Sequence, residues 1–141
     1  MSFYVIVNSD RNLDFFPNNK PYRFWTHLTS QLSLKGKWKI ALVDVKIDVD
    51  VMLEHKDVYI YSNICGESII DGSLKPLLRR ICLRASDTGY YKFEHLSYVD
   101  VIKSELTDFE FYIKDEFNDA CTFITQPVSL KLHLKSYPYF C

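Results

Sequence analysis

The chain has 141 residues, 48% hydrophobic and 25% charged, which is the size and make-up of one ordinary globular domain. Its 17 basic and 18 acidic residues leave a net charge of −1, which excludes a global basic field for nucleic acid and an acidic tail. No run approaches the ~20 apolar residues of a membrane-spanning helix.

A single domain over residues 1–141 is long enough to bury about 68% of its unfolded surface. Aromatic residues reach 16%, with ten Tyr, ten Phe and two Trp. Such side chains fit pleated, half-buried surfaces and favour β structure. Glycine is scarce, at four residues, so turns must rely on Asn, Asp, Ser and Pro.

Phe3 to Val7 is a short apolar strand candidate. A loop follows, and Phe16-Pro17-Asn18-Asn19 with Pro21 supplies its turn chemistry. Tyr22 to Leu34 fits a strand better than a helix, because Thr26, Thr29 and Ser30 weaken a helix. Trp38 to Ile47 carries the strongest signal. It alternates with Lys37 and Lys39 and then becomes almost continuously apolar, which predicts a strand running into a two-sided core.

Asp48 to Asp57 is polar and reads as a loop before the strand Val58 to Ile64. Gly66 to Lys75 reads as a connection turning at Asp71-Gly72. Leu77 to Leu83 is a strand, and Ser86-Asp87-Thr88-Gly89 predicts a hairpin into Tyr90 to Phe93. His95 to Ile102 is a connection, and Leu106 to Ile113 alternates as a strand. After a polar turn at Asp115 to Ala120, Cys121 to Ile124 is a short strand candidate. Val128 to Lys135 alternates without error, which makes a half-buried strand.

Eight or nine strands with turns every 8 to 15 residues predict an antiparallel sandwich or barrel. Trp38, Ile40, Leu42, Leu130 and Leu132 are expected to share one core.

No constellation announces catalysis. Asp87-Thr88-Gly89 matches an aspartic-protease triplet, but a turn explains it and the flanks are polar. Cys65, Cys82, Cys121, Cys141 and the four His are scattered, with no zinc spacing, no GxSxG elbow and no phosphate loop. No metal or other cofactor is expected. Cys65 and Cys82 read as small core residues of a reducing compartment. Met1-Ser2-Phe3-Tyr4 lacks the basic and apolar regions of a secretory leader, so secretion is not expected. Lys75, Arg79, Arg80 and Arg84 are the nearest approach to a basic patch, and read as a solvated strand edge; direct nucleic-acid binding is not expected. The aromatic tail Tyr137-Pro138-Tyr139-Phe140-Cys141 has no partner in the local pattern, so Tyr137, Tyr139 and Phe140 are candidate oligomer contacts.

The order of segments resembles a family. Phe3-Tyr4-Val5, Phe16 to Asn19, the Phe24 and Leu28 strand, Leu34 to Val45, Val58 to Ile64 and Leu74 to Arg79 occur in sequence, followed by His95 to Val101, Ile102 to Lys114 and Val128 to Lys135. Together these are similar to the minor capsid (penton) protein of Polinton/Maverick elements and adintovirus-like viruses. The resemblance implies a single jelly-roll β-sandwich of about eight antiparallel strands in two sheets. It implies a structural role in the virion, made in the host cytoplasm or nucleus: a homopentamer at the five-fold vertex, docked to a double-jelly-roll major capsid protein. The alternative is an all-β ligand- or carbohydrate-binding module. A cupin-like metal oxygenase is a third class, and it would need clustered His and carboxylate ligands.

Overall fold

The computed structural model describes residues 1–49, 55–84 and 89–137. Among them are eleven strands, all paired antiparallel, and no helix. The first sheet places β1 (Ser2–Asn8), β11 (Ser129–Tyr137), β3 (Lys37–Lys46) and β8 (Tyr90–Lys92) side by side, with β9 (Val99–Asp100) also on β3. The second sheet runs β2 (Arg23–Ser33), β10 (Glu105–Asp115), β4 (Lys56–Ser62), β7 (Leu77–Leu83). A separate small hairpin pairs β5 (Ser68–Ile70) with β6 (Ser73–Lys75).

Pairing across the chain is nested. β4 pairs with β7, β3 with β8 and β9, β2 with β10, and β1 with β11. Two faces meet in a core that takes Leu130, Leu132 and Leu134 from β11, Phe109, Phe111 and Ile113 from β10, and Val58 and Ile60 from β4. Trp38, Ile40 and Leu42 join Leu130 and Leu132 there, as their period-two spacing requires.

The apolar run in β3 has a different origin from the one expected. A bulge opposite Lys131 and Leu132 skips Val43, so Leu42 and Val45 both face the core although they are three residues apart. Only Ala41 in this stretch is fully buried on the outer side, paired with His133. The run therefore marks a change of parity rather than a strand with two apolar faces.

Other expectations are corrected. The predicted hairpin from Leu77–Leu83 into Tyr90–Phe93 does not form, because β7 and β8 belong to different sheets. There Ile47 N–H donates to the Gly89 carbonyl at 2.7 Å and Phe93 N–H to that of Val43, so this segment serves β3 instead. Of the predicted turn, only Gly89 lies within the described residues. Within Gly66 to Lys75 a hairpin does form, about Asp71 (φ 48°) and Gly72 (φ 83°), the two positive values that a two-residue turn needs. The connection His95 to Ile102 contains β9. Cys121 to Ile124 is a tight turn and not a strand, closed by Ile124 N–H on the Cys121 carbonyl. Cys82 is exposed, because alternation along β7 turns Ile81 and Leu83 inward and Cys82 outward. Arg79 is half-buried rather than solvated, its guanidinium 3.8 Å from the centre of the Phe93 ring.

Candidate interaction surfaces

Three surfaces stand out, and each arises from what the strands turn away from the core. The first is the outer face of the first sheet. Alternation on β1 turns Tyr4 and Ile6 outward, and on β11 it turns Lys131, His133 and Lys135 outward. Tyr4 lies directly across from His133, with ring centres 4.7 Å apart. Lys131 Nζ sits 4.8 Å from the Tyr4 ring centre, and Lys135 Nζ 4.1 Å from that of Tyr98. The Tyr98 hydroxyl meets His133 Nδ1 at 2.8 Å. Burial, and then the Lys135 charge, hold the His133 pKa below its usual value. The ring is therefore neutral at pH 7, and the positive charge of this face comes from lysines stacked on tyrosines.

Of the tail residues, Tyr137 ends β11, with Lys39 and Lys135 ammonium groups 5.0 and 5.1 Å from its ring centre. Tyr139 and Phe140 lie outside the described residues. Tyr137 is thus tied into the lysine–tyrosine face of its own domain.

β1 is also the border of its sheet. Its ladder to β11 is framed by Ser136 N–H on the Met1 carbonyl and Ser9 N–H on the Val128 carbonyl. Antiparallel pairs alternate, so the backbone groups of Ser2, Tyr4 and Ile6 point away from β11. None of these groups has a protein hydrogen-bond partner among the described residues.

The second surface is the border strand β2, and here the chain closes its own edge. Trp25 N–H donates to Asn19 Oδ1 at 2.8 Å, and Asn19 Nδ2 donates back to the Trp25 carbonyl at 2.9 Å. His27 N–H donates to Asn12 Oδ1. Two asparagine amides thus take the place of a neighbouring strand, which blunts the edge against pairing. The same loop leaves an open cleft of about 590 Å³ between Phe16, Asn19, Tyr22, Arg23 and Trp25. Beside it His27 Nδ1 lies 2.5 Å from Asp108 Oδ1, two members of a triad. The Phe15 ring stacks on this imidazole at 4.2 Å, and no serine or cysteine hydrogen-bonds it among the described residues. The pair ties β2 to β10 and, among the described residues, has no nucleophile bonded to it.

On the outer face of the second sheet, the third surface, Tyr59, Tyr61 and Tyr112 form a ladder with ring centres 6.4 and 5.0 Å apart. Beside them Glu110, almost fully buried, accepts from Arg23 Nε at 2.8 Å. The β5–β6 hairpin and the loop 115–118 border the ladder across a small cleft of about 170 Å³. Burial, with Tyr112, Tyr59 and Asp71 adding to it, pushes the Tyr61 hydroxyl up to about 12. The spacing of Tyr59 and Tyr61 could have shown this ladder from sequence, since i and i+2 share a face.

Among the described residues no group of three His, Cys, Asp or Glu is placed to hold a metal ion. Burial raises the thiols of Cys65 and Cys121 to about 12, which keeps both protonated and unreactive. No helix of the described residues is long and apolar enough to cross a membrane. No protein-family model matches the chain, and no curated protein matches it.

Proposed function

We propose that the chain is a structural capsid protein of the penton type: a single jelly roll that self-associates at a five-fold vertex and docks to a double-jelly-roll major capsid protein. The observation that carries this reading is the nested strand order. Set aside the β5–β6 hairpin and count β8 with β9 as one strand. Eight strands then pair first with last, second with seventh, third with sixth and fourth with fifth. One long antiparallel ribbon rolled into two sheets has this order, and the double-sheet jelly roll of viral capsid and lectin domains is such a ribbon.

The surfaces support a role in contacts rather than chemistry. Exposed apolar side chains and stacked lysines and tyrosines lie on the outer faces, while the His27–Asp108 pair has no nucleophile bonded to it among the described residues. Ring closure needs two different patches per subunit, each contact burying on the order of 1,200–2,000 Å² in total. The cleft at Trp25 and Phe16 favours the second reading, a ligand- or carbohydrate-binding module, since an aromatic wall with an amide beside it is how a sugar face is held.

Light scattering on the purified chain separates the two. A stable species of five times 16.6 kDa supports the vertex reading. A monomer whose Trp25 fluorescence shifts with added oligosaccharide supports the module.

A further inference from the structure

The β5–β6 hairpin and the loop after β10 carry three large apolar side chains that their own domain leaves bare. Ile69 is 74% exposed, Leu74 65% and Phe117 77%. Ile69 and Leu74 are cross-strand partners, so they stand side by side on one face of the hairpin. Exposed carboxylates flank them: Glu67, Asp71, Glu116 and Asp119. Of the nearby cations, Lys75 is turned to Asn118 Oδ1 at 3.0 Å and Lys114 to the Tyr112 ring, 5.7 Å from its centre.

The β1 side of the first sheet presents the complement. Tyr4 and Ile6 are 60% and 64% exposed. Lys131 and Lys135 stand beside them, and neither has a carboxylate within 4.0 Å among the described residues. β1 itself contains no charged residue, and Asp44 of β3, the register partner of Lys131, accepts from the Tyr90 hydroxyl at 3.2 Å, so the two lysines set the sign of the β1 side. Its border amides are open, whereas asparagine side chains close the border at β2.

We infer that these two surfaces are the halves of one contact between copies of this chain. The hairpin and 115–119 loop of one copy seat on the β1–β11 face of the next. Ile69, Leu74 and Phe117 cover Tyr4 and Ile6, and the carboxylates face Lys131 and Lys135. This inference rests on the self-assembling reading and specifies which surfaces meet. The halves differ, so the contact is heterologous and runs head to tail, closing where the rotation fits. Opposite charge on the two halves favours this pairing and disfavours like halves meeting.

Charge exchange tests the contact, read by sedimentation velocity. Lys131→Glu with Lys135→Glu should weaken assembly at least about tenfold, and so should Glu116→Lys with Asp119→Lys. All four changes in one chain should restore it. Ile69→Ser with Leu74→Ser, both on a bare surface, should dissociate the assembly and leave the melting temperature equal to that of the wild type diluted until it too is dissociated. If the wild-type assembly keeps its mass and any of these pairs leaves it intact, the inference is overturned while the vertex reading stands. A folded four-fold variant that fails to reassemble also overturns it. A wild-type chain that stays monomeric at all concentrations contradicts both.

Discussion

Leu132→Ala probes the rolled core at its most constrained point. Leu132 is fully buried at the centre of β11, opposite Val5 on one side and Leu42 on the other. The change removes three carbons, worth about 2.4 kcal/mol at about 0.8 per buried carbon group. A cavity term adds to this, because both neighbouring strands hold the β11 backbone in its ladders and the gap cannot collapse. The total should fall in the upper part of the roughly 2–5 kcal/mol range for such truncations. For a chain of this length that is a loss of about 10–15 °C in melting temperature. Thermal unfolding followed by circular dichroism measures it, with Lys131→Ala, on the opposite face of the same strand, as the control at about 0.5 kcal/mol or less. A Leu132→Ala protein that melts with the wild type would refute the assignment of the inward face, and with it the register of β11.

Three further outcomes follow from local geometry. Gly89 holds φ +89° and an added Cβ would lie 2.8 Å from the Ile47 carbonyl oxygen, so Gly89→Ala should destabilise the fold by roughly 1–3 kcal/mol in urea unfolding. Alkylation of the native protein at pH 8, mapped by peptide mass, should label Cys82 and spare Cys65 and Cys121, which are buried with thiols raised to about 12; fast labelling of Cys65 would mean that the core is open there. The His133 imidazole should titrate below 6.5 by nuclear magnetic resonance. Because the unfolded chain takes up that proton first, stability should fall as pH drops through 6.5 and level off below the folded midpoint. A midpoint above 6.5 would remove the burial argument for that face.

The sequence patterns that survived were those with one buried face. Val128 to Lys135 alternates because β11 lies between β1 and β3 with only one side in the core, so its register could be read directly. Leu106 to Ile113 behaves the same way in β10. Readings failed where tertiary structure interrupts the period. The β3 bulge changes the inward parity between Leu42 and Val45 and so imitates a strand with two apolar faces. The β7-to-β8 crossing looks like a hairpin because adjacent strand signals do not say which sheet each strand joins. At three residues each, β5 and β6 are too short to show a period, yet their Asp71-Gly72 turn was visible. Little of the interaction surface was legible. The lysine–tyrosine face needs β1 and β11, from opposite ends of the chain, side by side. The Asn12 and Asn19 amides that close the β2 border read as ordinary loop chemistry until the edge they cover is known.

Electron microscopy of the purified protein tests most directly the proposal that this chain assembles into a ring of five. The account predicts closed rings whose averaged end-on views have five-fold rotational symmetry. Particles with two-fold symmetry, or a protein that remains single subunits at concentrations far above those of assembly, would contradict it.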